Sequence, residues 1–68
     1  MKNDLAKRRL DRNWTQAELA SALGVSRQTV ISIERGRFDP SLPLAFIIAQ
    51  TFGCRIEEVF TAEGRRDT

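Results

Sequence analysis

The stretch that decides the fold is Trp14–Arg37, WTQAELASALGVSRQTVISIERGR. Thr15-Gln16-Ala17-Glu18 has the form of a capping box, in which the Thr15 hydroxyl accepts from the Glu18 amide and the Glu18 side chain reaches back to residue 15. A helix therefore starts here, with Leu19, Ala20 and Leu23 on its apolar side, and Gly24 supplies the left-handed geometry that ends it. Ser26 is the next N-cap. Val30 and Ile33 then recur at helical spacing until Gly36, which predicts a second helix from about Arg27 to Arg35. The connection Leu23-Gly24-Val25-Ser26 is a tight turn that sets the second helix across the first and leaves one of its faces open to a groove.

At about 100° per residue, Val30 and Ile33 point inward while Gln28, Ile31, Ser32 and Arg35 gather on the opposite face with Arg27 beside them. Those side chains suit base edges. Gln28 can pair with adenine through two hydrogen bonds, Arg27 can reach guanine or a phosphate, Ser32 can bond either kind of edge, and Ile31 can lie against a thymine methyl. Gln16 stands at a helix start, where free amides favour a phosphate. With Ser26, Thr29, Arg35, Arg37 and Phe38 it makes the set expected to hold the DNA backbone and fix the register. Plainer roles stay open for each: Ile31 as an ordinary exposed apolar residue, Gln16 as a first-turn polar residue, Arg37 as a solvated loop cation.

Outward from this core, a first helix is expected from about Asn3 to Arg12, stopping at Asn13, with Leu5 and Arg9 on one face. Asp39-Pro40-Ser41 marks a turn, and Ser41 caps a fourth helix that tolerates Pro43 in its first turn, where the missing amide would be unpaired anyway. That helix runs to about Phe52 and stops at Gly53. Ile56–Phe60 is long enough for a short fifth helix, and residues 61–68 read as a polar tail. No strand, repeat or dividing linker is expected, so the reading is one all-α domain over residues 1–68, five helices around one core, with the helix-turn-helix at about 15–35.

Composition limits the rest. A chain of 68 residues with 41% hydrophobic content can close one core but not an elaborate catalytic cavity. There is no histidine and a single cysteine, Cys54. With no glycine-rich phosphate loop and no carboxylate pair with an evident cavity, no catalytic or metal-binding constellation can be assembled, and neither enzyme activity nor a cofactor is expected. Cys54 suits a small core position better than a redox switch. No apolar run approaches the roughly 18 residues of a membrane span, and no secretory signal is visible, so a soluble cytoplasmic protein is expected. Residues 1–37 carry eight cations against four anions, and the remainder three against five. The positive end is the half that carries the helix-turn-helix, which fits a polyanionic partner.

Beyond the spacing, Trp14–Arg37 closely resembles the helix-turn-helix of the phage-repressor and Cro-like family of bacterial-type regulators, often called XRE-type. The resemblance combines the TQxEL start, the LGVSRQT turn, the IExG ending and the downstream PSLPLA, and extends from about Lys2 to Phe60. It implies a lambda-repressor-like five-helix domain that binds operator DNA as a homodimer, with the third helix in the major groove. It also implies base reading at Arg27, Gln28 and Ser32 and backbone contacts at Gln16 and Arg35. In that family an arginine of the first helix pairs with the glutamate ending the third, here Arg9 with Glu34, a structural ion pair. Two places depart from the family pattern. Arg8 replaces a leucine, so the first helix is expected to pack differently or lean on Leu10. Cys54-Arg55 replaces an aliphatic and a small cap, which leaves the start of helix five open.

On the fourth helix Leu44, Ala45, Ile48, Ala49 and Phe52 form the core face, while Phe46 and Ile47 point away from it. With Val59 and Phe60 these two are expected to form a two-fold dimer contact. The rival for Phe46 is closure of the monomer core. The function expected from all this is a sequence-specific transcriptional regulator, a repressor or autoregulator of double-stranded operator DNA, with no membrane and no small-molecule ligand. The alternative is an antitoxin-like protein-interaction module whose DNA binding is secondary.

Overall fold

The computed structural model describes residues 1–61. Its elements follow in the order β1 (Lys2–Asn3), α1 (Leu5–Asp11), α2 (Gln16–Leu23), α3 (Arg27–Glu34), α4 (Leu42–Phe52), α5 (Ile56–Val59) and β2 (Phe60–Thr61). The predicted caps are formed. The Glu18 amide donates to Thr15 Oγ1 at 3.0 Å and the Thr15 amide to the Glu18 carboxylate at 2.8 Å. Ser26 and Ser41 accept from the amides of Thr29 at 3.1 Å and Leu44 at 3.3 Å. At α5, where Arg55 offers no capping oxygen, the Glu58 carboxylate instead accepts from the Arg55 amide at 2.7 Å.

Helices α1 to α4 all end in the same way. In each, one amide reaches back five residues and the preceding one three: Trp14 to Arg9 and Asn13 to Leu10, Val25 to Ala20 and Gly24 to Ser21, Arg37 to Ser32 and Gly36 to Ile33, Cys54 to Ala49 and Gly53 to Gln50. The residue at the hinge of this motif must take a positive φ. Glycine does so freely at Gly24, where φ is 73°, and asparagine is the tolerated substitute at Asn13, where φ is 59°.

One core serves all of these helices. Leu5, Leu19, Leu23, Val30, Ile33, Ile48, Val59 and Phe60 are buried together, with Trp14, Leu44, Phe52, Cys54 and Ile56 packed partly against them. The Trp14 and Phe52 rings stand 5.9 Å apart at 54°. The Arg12 guanidinium lies over both, 5.2 Å and 4.8 Å from their centroids, a cation–π lid that no sequence pattern signals.

Four expectations are corrected. First, a small antiparallel pairing is present, Lys2 with Thr61 and Asn3 with Phe60, so Thr61 belongs to β2 and not to a tail; residues 62–68 lie outside the described part. Second, α1 begins later than expected because Asn3 is used in that pairing: its side chain accepts from the Leu5 amide at 3.0 Å and donates to the Ile33 carbonyl at 2.8 Å. Third, α1 does not lean on Leu10, which is 60% exposed. Arg8 instead reaches outward to Asp4 at 2.8 Å and to the Glu58 carbonyl at 3.4 Å, and the hydrogen bond to Asp4 pushes its pKa further up. Fourth, Val59 and Phe60, expected on an outer dimer face, are only 2% and 8% exposed. The β1–β2 pairing folds the end of α5 under the bundle and consumes both in the core.

Candidate nucleic-acid interface

The scaffold of the site is a knot of three polar side chains. Arg9 donates to Glu34 through Nε at 2.7 Å and Nη2 at 3.3 Å, and through Nη1 to the Trp14 carbonyl at 2.8 Å. Gln16 adds a third donor to the same carboxylate, Nε2 to Oε1 at 3.1 Å. The Arg9 and Glu34 side chains are only 12% and 7% exposed. A carboxylate so far removed from water is tolerated because its oxygens are filled by donors of opposite or neutral charge. The knot therefore joins α1, the first residue of α2 and the last residue of α3, and fixes the angle at which α3 leaves the domain.

From that frame α3 turns its polar face outward. Arg27 and Gln28 are exposed, Thr29, Ile31 and Ser32 half-buried, while Val30 and Ile33 face the core. Gln28 Nε2 lies 3.5 Å from Ser32 Oγ, so the two form one polar pair along the helix. Ile31 is less open than its place on the helical wheel suggests. At the start of α3 the Ser26 and Thr29 hydroxyls stand 2.9 Å apart. At its end the Ser32 carbonyl accepts from the amides of both Arg37 and Phe38, at 3.0 Å and 3.3 Å, which draws that loop back against α3. Arg35, Arg37 and Phe38 are exposed there, beside the outward polar face of α3. Ser26, Gln28, Thr29, Ser32 and Phe38 enclose a shallow cleft of about 180 Å³.

The structure thus brings together nine of the expected DNA-facing residues, Ser26, Arg27, Gln28, Thr29, Ile31, Ser32, Arg35, Arg37 and Phe38, on α3 and its two flanking turns. The tenth, Gln16, is placed at the start of α2 with its amide committed to Glu34. That commitment is not legible in sequence, since residues 16 and 34 share no element. Elsewhere, α4 leaves Phe46 and Ile47 51% and 41% exposed, and Phe46 does not close the monomer core. Among the described residues no group of histidine, cysteine, aspartate and glutamate side chains could hold a metal ion, and no helix is long and apolar enough to cross a membrane.

The model of the helix-turn-helix family matches residues 5–59, most of the chain and every helix just described. The chain belongs to the XRE-type helix-turn-helix family. Over 63 residues it is 57% identical to an uncharacterised HTH-type transcriptional regulator of Methanocaldococcus jannaschii, covering 93% of this chain and 96% of that one. It is 41% identical over 63 residues to the HTH-type transcriptional regulator YgzD of Bacillus subtilis, again 93% of this chain and 96% of the relative. Among solved structures it is similar to a hypothetical transcription factor from Neisseria, with a TM-score of 0.73 at 27% identity, covering 81% of this chain and 62% of that one. The helix-turn-helix geometry and the family together describe a DNA-binding transcription regulator.

Proposed function

We propose that this regulator binds operator DNA sequence-specifically as a homodimer, with α3 in the major groove, and acts in the cytoplasm as a repressor or autoregulator. The observation that carries this reading is the outward row of Arg27, Gln28 and Ser32 on a helix held at its far end by the part-buried Arg9–Glu34–Gln16 knot. Base reading needs side chains held in register, and a helix anchored at its far end supplies that. Arg27, Gln28, Ile31 and Ser32 would read bases. Ser26, Thr29, Arg35, Arg37 and Phe38 would position the backbone, and Gln16 would join them through the second Nε2 hydrogen, the first being given to Glu34.

Two copies related by a two-fold axis would present two α3 helices about one DNA turn apart, roughly 34 Å. The exposed Phe46 and Ile47 support such a contact. A dimer seated across a promoter would exclude polymerase by occupancy. The same apolar pair also favours a second reading, in which the face masks a protein partner in the manner of an antitoxin.

Selection from a pool of random duplexes at about 150 mM salt tests the proposal. The expected result is a two-fold symmetric site whose sequence preference relaxes in Gln28→Ala at the position that Gln28 reads. Retention that vanishes with salt and enriches no sequence would remove the operator reading and favour the protein partner, to be sought by pulldown.

A further inference from the structure

We propose that Arg12 is a phosphate-binding residue, whose guanidinium is held in place by the Trp14 and Phe52 rings so that it grips the DNA backbone beside the start of α2. The proposal deepens the reading above and rests on it, since the phosphate belongs to the duplex that α3 enters. It adds a DNA contact at the corner between α1 and α2, outside the set of residues on α2, α3 and the turns beside α3.

The cations of this part of the chain fall into two kinds. Lys7 pairs with Asp11 at 3.4 Å, Arg8 with Asp4 at 2.8 Å and Arg9 with Glu34 at 2.7 Å. Arg12, the next cation along the chain, is exposed and has neither a carboxylate partner nor a side-chain hydrogen bond among the described residues. What it meets is carbon. Its guanidinium lies 5.2 Å from the centroid of Trp14 and 4.8 Å from that of Phe52, over two tilted rings that are 5.9 Å apart.

An ion pair and an aromatic face restrain a guanidinium with different consequences. A carboxylate cancels its charge and occupies its donors, whereas a ring attracts it through the quadrupole and leaves both the net charge and the N–H edge available. That edge matches two oxygens of a phosphate. A surface arginine that binds an anion loses rotamer freedom, and one already laid on two rings has less to lose. Arg12 is therefore a cation kept both charged and in place.

Its position points to the DNA backbone. The Trp14 carbonyl accepts from Arg9 Nη1 at 2.8 Å, and Arg9 and Gln16 together hold Glu34 at the end of α3. The corner that carries Arg12 is thus tied through Arg9 to the helix proposed to enter the groove. Gln16, a proposed backbone contact, stands four residues further on, so a strand that passes the start of α2 continues past this corner.

The experiment compares binding of the selected operator by wild type and Arg12→Met, which keeps an unbranched chain on the rings and removes the charge. At about 150 mM salt the variant should bind about tenfold more weakly. Its slope of log K against log salt should be lower by about one unit, with sequence preference unchanged. Methylphosphonates, which remove one phosphate charge at a time, identify the partner: one position per half-site should weaken wild type and leave Arg12→Met unaffected. Phe52→Leu, which takes one ring from beneath the guanidinium, should keep the wild-type slope and bind about threefold more weakly. Circular dichroism at the assay temperature confirms that each variant is folded. Three outcomes would overturn the proposal: Arg12→Met binds with wild-type affinity and slope, every methylphosphonate weakens both proteins alike, or Phe52→Leu binds as tightly as wild type. All three leave operator recognition by α3 intact. A pool that yields no operator removes both readings together.

Discussion

Helix α3 turns Arg27 and Gln28 toward water, whereas α4 turns Leu42, Phe46 and Ile47 toward it. The two helices share one core, through Val30 and Ile33 on one side and Ala45 and Ile48 on the other, so the contrast lies in how each is held and in what each leaves outside. The end of α3 is held by a part-buried ion pair reinforced by Gln16, while α4 is held by packed carbon. A polar face is solvated at no cost and can exchange its waters for base edges. An apolar face carries a penalty of roughly 25 cal/mol per Å² until something covers it. The proposed function assigns the first to a hydrated, charged partner and the second to protein.

The largest expected effect tests the way α3 is held. Glu34→Ala leaves the Arg9 guanidinium stranded among α1, α2 and α3, and should cost about 3–5 kcal/mol. At roughly 4–8 °C per kcal/mol for a domain of this size, the Tm falls by more than about 12 °C. An equal Tm for variant and wild type would mean that the knot adds nothing to the scaffold. Next comes the contrast within α4. Ile48→Ala, at a fully buried position, should cost about 2–5 kcal/mol, measured by denaturant unfolding. Its neighbour Ile47→Glu should stay within about 0.5 kcal/mol. Sedimentation of Ile47→Glu sharpens the comparison: a dimer mass that drops to the monomer assigns the outer face of α4 to self-association, and an unchanged mass takes Ile47 out of it.

The caps offer a matched pair. Ser26→Ala and Ser41→Ala each remove one hydroxyl from a helix start and should each cost about 1 kcal/mol of stability. Only the first should also weaken DNA binding, because only α3 is expected to meet DNA; equal losses of binding would mean that α4 also lies against the duplex. The smallest effect is at Arg37. Arg37→Ala should leave the Tm unchanged and weaken binding to all sequences alike. The slope of log K against log salt should fall by about one unit. A change in sequence preference would instead make Arg37 a base reader.

Some of these contrasts are legible in the residues alone. Thr15, Ser26, Ser41, Gly24 and Gly53 announce where α2, α3 and α4 begin and end, and the 3.6-residue period separates Val30 and Ile33 from Gln28 and Ser32. The Arg9–Glu34 pairing comes through family resemblance, because no local pattern relates residues 25 positions apart. The burial of Val59 and Phe60 and the commitment of Gln16 to Glu34 have no sequence signal at all.

The division has one physical cause. A cap, a turn or a helix face is settled by atoms within four or five residues of chain, so the sequence by itself determined the capped starts of α2, α3 and α4, the polar outer face of α3 and the positive charge of the first half. The β1–β2 pairing joins Lys2 to Thr61, the Phe38 wall of the cleft depends on where the loop after α3 is drawn back, and Phe60 is buried or exposed according to what strand lies beside it. Those were decided only by the tertiary structure, because each requires a partner that the chain supplies from elsewhere, or a path that only the assembled bundle fixes.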